Sequence, residues 1–398
     1  MPRLARDVAR CDVMGQLAAR AGSLGTLASV SVATCEIGSF QGELGTVILD
    51  GAPGEPGSPF RATGYLLPFG SDGFSAGRRR TGALAEFDAT QLEVGDPAGL
   101  DRLAATVRAS ARRSVEGLDP RAGALSLGLV IGDTSGFDVG TEESFRRAGL
   151  SHLVAVSGSN VAIVLGAVLI LGSRLSVPLR LSLAGAALGI FVLVVGPEPS
   201  VLRAAAMGVV ALLALLLGRR SEPLQALCLA AMVLSALRPT LVFSLGFWLS
   251  VAATLGIILW ASAASRSLER IIGSGRKRAW LGAAFGVTCA AQFAVAPILA
   301  LVFGTLSVTG PLANLLAVPA VPPATILGFL AAVTGTIAPP LARLFAFLSA
   351  PFLGWILWVA DHLGRSGWSD AAVSPPAGWA LMVLVTVAGF ASLCLRRT

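Results

Sequence analysis

From His152 onward the chain is almost entirely compatible with hydrocarbon, and this run constrains the fold more than any other feature. Residues 151–398 carry only five carboxylates, Glu198, Glu222, Glu269, Asp361 and Asp370. The apolar stretches divide into roughly nine segments, each long enough to cross the hydrocarbon or enter it deeply. They fall near 152–172, 177–196, 200–218, 223–238, 241–263, 279–304, 310–338, 341–363 and 376–395. The expected fold is therefore a membrane α-helical bundle. Within 310–338, Pro319, Pro322 and Pro323 remove amide donors, so an undisturbed helix interior is excluded there. Broken backbone at membrane depth must be covered by protein or line a wet cavity. Residues 314–323 are thus either a lining element or a kink packed against neighbours.

Charge divides the chain at the same place. Residues 1–150 hold 15 Arg against 18 Asp and Glu, a net of −3, whereas residues 151–398 hold 15 Lys and Arg against five acids, a net of +10. Basic residues at the ends of membrane segments report topology first, and a contribution from an anionic ligand stays open. The cluster RSLERIIGSGRKR (266–278) places its loop in the cytoplasm. Arg219-Arg220, Arg174–Arg180 and the Arg396-Arg397 tail then fall on the same side. Residue 150 emerges outside.

The first 150 residues read as a separate, water-soluble part. SVSVAT, GTVILDG, FRATGYLLPF and LAEFDATQLEV alternate in part and are divided by turn-rich clusters such as GAPGEPGSP, which predicts a small barrel or sandwich within 25–96. Residues 97–117 have helical spacing, with Leu100, Leu103, Ala104, Val107 and Ala111 on one side and Arg102, Arg108, Arg112 and Arg113 elsewhere. A second helix, 120–131, ends at GDTSG. Thr141 then reads as an N-cap, with Glu142 and Glu143 in the first turn. The predicted organisation is a β domain over 1–98, amphipathic helices and a junction over 99–150, and a polytopic domain over 151–398. Cys11 and Cys35 can pair if this half is extracytoplasmic, or stand as two small hydrophobes. The cysteine and histidine spacings match no metal site, so neither a metal nor a cofactor is expected.

The segment HLVAVSGSN (152–160) collects polar groups at the mouth of an apolar run. Polar groups held inside a membrane are costly, which makes such a cluster a default functional candidate. Catalysis is the weaker expectation. His152 and Ser157 at i,i+5 on a helix lie about 140° apart, and no carboxylate is at hand to orient the imidazole. Arg203 either snorkels to the surface or presents a cation to a polyanion path. Gln292 suits hydrogen bonding between helices. Ser244 and Ser250 suit close helix packing. The chain is not expected to be an enzyme, although an intramembrane hydrolase remains a minor alternative.

The order of several motifs adds a resemblance. GDTSG (132–136), FRRAGLSHLVAVSGSN (145–160), VLRAAAM (201–207), FSLGFWLSVAATLG (243–256) and PILALVFGTLSVTGPLANLLAVP (297–319) stand in the order of the ComEC competence family, which the chain resembles over most of 120–320. The N-terminal part resembles that family's OB-like region. The resemblance implies an inner-membrane channel passing single-stranded transforming DNA, with the N-terminal domain extracytoplasmic and the C-terminus cytoplasmic. The family's patterned positions carry over as Asp133, His152, Ser157, Gly158, Asn160, Arg203, Ser250 and Asn314. Asp133 and the SGSN turn would fix the junction, and Arg203 with small polar residues would line the path.

Single-stranded DNA and membrane lipid are the expected partners. A separate DNA receptor and a cytoplasmic ATPase are expected too, since no P-loop is present, and a homo-oligomer is compatible with all of this. The barrel would receive the strand through a basic groove and stacking aromatics. Its aromatics are Phe40, Phe60, Tyr65, Phe69, Phe74 and Phe87, and Arg78-Arg79-Arg80 is its basic patch. Two features depart from the family: no ligand motif of a metallo-β-lactamase-like domain occurs, and residues 1–26 read as neither signal peptide nor membrane segment, which suggests a truncated or mis-assigned start. A small-solute or ion transporter is the alternative function, for which interrupted helices are also suited.

Overall fold

The computed structural model describes residues 9–20, 26–35, 38–49, 55–68, 85–154, 156–196, 198–219, 221–272, 276–365 and 370–395. Phe69, Phe74, the Arg78–Arg80 patch, Arg220 and the Arg396-Arg397 tail lie outside the described residues. Five strands open the chain: β1 (Ala9–Arg20), β2 (Thr26–Cys35), β3 (Gly38–Leu49), β4 (Pro59–Leu67) and β5 (Ala85–Val94). They close a barrel in the order β1-β2-β3-β5-β4, with β3 and β5 parallel and the other pairs antiparallel. In β2, Ala28 and Val30 face inward, and a register shift at Val30/Val32 resets the alternation so that Ala33 and Cys35 also face inward. Val13, Leu17, Val47, Leu49, Leu66 and Phe87 complete the barrel core.

Strand β1 was not expected from the sequence, which predicts strands only from residue 25. Its inward positions Cys11, Val13 and Leu17 keep a period of two, but the inward place between Val13 and Leu17 is a glycine and the pairing shifts at Met14/Gly15 and Leu17/Ala19, which weakens the apolar signal. At the first shift Gly15 packs so close to β2 that a Cβ would sit 1.9 Å from the Ser29 carbonyl oxygen. A bulge of this kind needs the missing side chain. Cys11 and Cys35 face each other across β1 and β2 and are joined by a disulfide.

Four helices form the junction: α1 (Gly99–Val115), α2 (Pro120–Ile131), α3 (Val139–Arg147) and the single turn α4 (Ser151–Val154). Helix α2 starts where the Asp119 carboxylate accepts from the Arg121 and Ala122 amides, and it stops at Gly132, whose φ of +74° is left-handed. The N-cap of helix α3 lies three residues before the predicted one. Asp138, not Thr141, is the N-cap; its carboxylate accepts from the Thr141 amide at 2.8 Å and hydroxyl at 2.5 Å. Aspartate outranks threonine at this position, and both residues were available.

The remaining helices are α5 (Gly158–Leu171), α6 (Val177–Val195), α7 (Pro199–Leu216), α8 (Pro223–Leu237), α9 (Leu245–Ile272), α10 (Arg276–Phe303), α11 (Gly310–Ala317), α12 (Val321–Thr334), α13 (Pro339–Gly364) and α14 (Pro375–Leu395). Among the described residues six stretches are long and apolar enough to cross a membrane: α6, α7, most of α9 and α10, the α11–α12 unit and α13. Each of the nine predicted segments contains a helix. The apolar stretches of α5, α8 and α14, however, are shorter than that length, so the count of nine spans is not reproduced.

The proline-rich stretch is helical almost throughout. A 3-10 turn, Val318–Ala320, joins α11 to α12, and Pro319 and Pro322 each occupy the first turn of their element. An amide at that position has no intrahelical partner, so proline removes nothing there. Ala313, Ala317, Ala320, Val321 and Ala324 pack against α2 and α13 in one cluster with Phe145 and Leu353. A kink packed against neighbours describes this face of the stretch. Strands β6 (Thr305–Ser307) and β7 (Asp370–Ala372) pair antiparallel between α10 and α14. Helices α9 and α10 form a close hairpin in which a Cβ on Gly256 would meet the Ala290 carbonyl oxygen at 2.6 Å.

Candidate functional site

The predicted site residues separate into three neighbouring groups along the junction. The first centres on Asp133, at the end of α2. Its Oδ1 accepts from the Ser135 amide at 3.1 Å and hydroxyl at 2.6 Å, and its Oδ2 accepts from Arg112 Nε at 3.1 Å. Arg112 also pairs with Glu55, which follows the barrel's third strand. Burial pushes the Asp133 carboxyl up, but the Ser135 donors and the Arg112 guanidinium outweigh it and hold the pKa below the ordinary carboxylate value. Asp133 thus ties the junction to the barrel through Arg112.

The second group brings together Ser157, Gly158, Ser159, Asn160, Arg203 and Ser250. Asn160 is fully buried, and its Nδ2 donates to the Leu129 carbonyl at 3.0 Å, which fixes the start of α5 to α2. Ser157 precedes α5 as its N-cap residue but makes no capping bond; its hydroxyl lies 2.5 Å from the Ser159 hydroxyl and donates to Asn160 Oδ1 at 3.4 Å. Arg203 does not snorkel. It is 6% exposed, with Nε donating to Ser250 Oγ at 2.8 Å and Nη1 directed at Met207 Sδ at 3.2 Å. Its Nη2 lies 2.5 Å from where a Gly158 Cβ would be, so only glycine admits the guanidinium there. None of the ion pairs among the described residues includes Arg203.

The third group holds His152 and Asn314. The imidazole interacts with the Gly149 backbone and the Asn314 side chain, and Asn314 Nδ2 donates to the Gly310 carbonyl at 2.9 Å and the Gly149 carbonyl at 3.4 Å. Gln292 Nε2 borders the same place, 3.4 Å from a Cβ built on Gly310. The hydrogen bonds of Ser157 go to Ser159 and Asn160, not to His152. Among the described residues no group of three His, Cys, Asp or Glu is placed to hold a metal ion.

Two further contacts were missed in the sequence. Arg108 is buried on α1 and donates to the Val194 carbonyl at 2.7 Å, the Leu193 carbonyl at 2.9 Å and the Pro56 carbonyl at 3.0 Å. It caps the C-terminus of α6 and holds the barrel in one grip; burial pulls its pKa below the ordinary arginine value, against the pull of Glu55. Arg121 on α2 makes a bidentate pair with Asp361 on α13, at 2.9 and 2.8 Å. The signal was a lone carboxylate in a 26-residue apolar helix, since a buried acid of that kind needs a cation.

The first group ties the junction helices to the barrel through Arg112 and Glu55, and the second and third lie among the helices that known proteins match. The sequence profile of the competence protein family matches residues 129–398, from the end of α2 to the end of the chain. The chain belongs to the competence protein family. It is a multi-pass membrane member, with an additional β-barrel before the matched region. The chain is 30% identical to "ComE operon protein 3" of Bacillus subtilis (strain 168) over 204 residues, which is 51% of this chain and 25% of that protein. It therefore spans about a quarter of the length of this relative. No solved structure matches the chain. The second and third groups lie inside the matched region, as does Asp133, whereas Arg112 and Arg108 precede it.

Proposed function

We propose that this competence-family protein conducts single-stranded DNA through the bacterial inner membrane during natural transformation, moving the strand without altering it chemically. The observation that carries the reading is Arg203, a buried cation with no carboxylate partner among the described residues, set among hydroxyls and a carboxamide inside a family-matched apolar bundle. Unpaired charge at membrane depth marks a path for a charged substrate, and the substrate consistent with an arginine is an anion.

The barrel, read as an OB-like module, stands outside the cytoplasm in this proposal and receives the strand. Phe40 and Tyr65 are its exposed aromatics among the described residues, and stacking on such rings is tolerant of sequence. The disulfide in its core is consistent with an oxidising compartment. A separate DNA receptor, a cytoplasmic ATPase and self-association complete the proposed assembly. The test is transformation of a naturally competent host that encodes this protein. Deletion, or Arg203→Gln with normal membrane levels, should abolish arrival of labelled DNA in the cytoplasm while leaving surface binding intact. Unchanged transformation in the deletion strain would exclude the reading.

A further inference from the structure

We infer that Arg203 and the N-terminus of α5 form a site for one phosphodiester group. The inference rests on the DNA-uptake reading for the biological source of that group; the geometry gives its chemistry. Arg203 projects from the first turn and a half of α7. Two of its nitrogens are fixed by neutral partners, Ser250 and Met207. The third, Nη2, has no hydrogen-bond partner among the described residues and lies against Gly158, the first residue of α5.

The end of α5 is itself uncompensated. The first amides of a helix lack intrahelical acceptors and carry the positive end of its dipole. The Asn160 amide donates to the Ser157 carbonyl at 3.0 Å, but no side chain caps the helix, because the Ser157 hydroxyl is turned to Ser159 and Asn160, and the amides of Gly158 and Ser159 have no acceptor among the described residues. Glu198 is the N-cap residue of α7, but the first turns of α5 and α7 hold no acidic residue, and none of the ion pairs among the described residues joins Glu198 to Arg203. A buried guanidinium and the uncapped N-terminus of α5 thus meet without a carboxylate paired to either among the described residues. A phosphodiester suits the pair: one free oxygen can accept from Nη2 of the guanidinium, which is always charged, and the other from the backbone amides at the helix N-terminus.

Both a translocating strand and a phospholipid headgroup carry this group, so the experiment separates them. The full chain is reconstituted in zwitterionic nanodiscs, and fluorescein-labelled dT12 binding is followed by anisotropy from low to high salt. Removing one phosphate contact to a single strand should lower the slope of log K against log salt by about 0.7. Arg203→Gln should show that drop, and inorganic phosphate should compete with dT12 for the wild type and lose that effect in the variant. Gly158→Ala, which keeps every charge but displaces Nη2, should weaken binding in the same direction and guards against misfolding of the arginine variant.

Wild-type binding with an unchanged slope in both variants overturns the site and leaves the uptake reading standing. A wild type that does not bind dT12, but retains anionic lipid that Arg203→Gln releases, supports the site with a headgroup as its source and overturns the strand. Loss of neither ligand in the variants overturns the inference.

Discussion

Arg108→Met should detach the barrel from the membrane bundle without unfolding either. Arginine at this position is 3% exposed and makes three bonds of 2.7 to 3.0 Å to backbone carbonyls. Two of these carbonyls, Leu193 and Val194, belong to the last turn of α6, where no intrahelical donor remains. Bonds from a charged donor contribute about 1.5–3 kcal/mol each. Against their sum stands the cost of burying the guanidinium, which is several kcal/mol and is relieved in the variant. Methionine also refills much of the volume. The net loss should be about 3 kcal/mol, from the same two terms, a large share of the ~5–15 kcal/mol that stabilises a typical domain. Because the lost bonds join separate bodies, the effect should appear first as opening rather than as global melting. The assay is limited digestion by proteinase K in nanodiscs, followed at the connection between Val94 and Gly99. The variant should release an intact barrel many times faster than the wild type, and Arg108→Lys should fall between them. Equal cleavage rates and equal thermal midpoints for Arg108→Met and wild type would refute this account of the grip.

Three other outcomes follow from the contacts described. Cys11→Ser with Cys35→Ser should lower barrel stability by about 3 kcal/mol, the loop-closure value for a separation of this size, read as a shifted denaturant midpoint; the two cysteines are 24 residues apart. Asp133 has a folded-state pKa below its ordinary value, so its contribution is complete above the unfolded carboxylate pKa and is lost as pH falls through the folded one. The stability difference between wild type and Asp133→Asn should therefore be largest near neutral pH and shrink under acid, in thermal melts run across pH. At Gly128 a Cβ would meet the Val154 carbonyl oxygen at 2.2 Å, whereas at Gly166 it would meet nothing within 4 Å. Gly128→Ala should destabilise by about 1–3 kcal/mol and Gly166→Ala should stabilise by up to ~1 kcal/mol, both read from thermal midpoints.

The membrane half was legible in the sequence to within a few residues at most ends. Transfer of apolar side chains is roughly additive along the chain, so a run such as 177–196 announces α6 by itself. Lengths were less secure: α5 starts only at Gly158, six residues into its run, α8 fills a run that is itself short, and the apolar stretch of α14 is shorter than its helix. Strand β1 was missed because its inward face, Cys11, Val13, Gly15 and Leu17, is interrupted by a glycine, so the alternation that the structure keeps carries little apolar contrast.

The candidates Asn160, Arg203 and Asn314 were visible as polar groups in apolar runs, and Asp133 through the resemblance of its GDTSG turn, yet their partners were not. Ser250 lies 47 positions from Arg203, and Asp361 lies 240 from Arg121. Nothing local favours one serine or one arginine over another across such distances. Arg108 shows the limit best: on α1 it looks like one of several solvent-facing arginines, and only the approach of α6 and of the Pro56 segment makes it a buried clasp. The sequence by itself determined that this chain is a helical membrane protein with a small β domain, because burial of apolar area depends on composition and spacing. Tertiary structure alone decided which charges meet, because a hydrogen bond is fixed by the path of the chain and acts over a few ångströms.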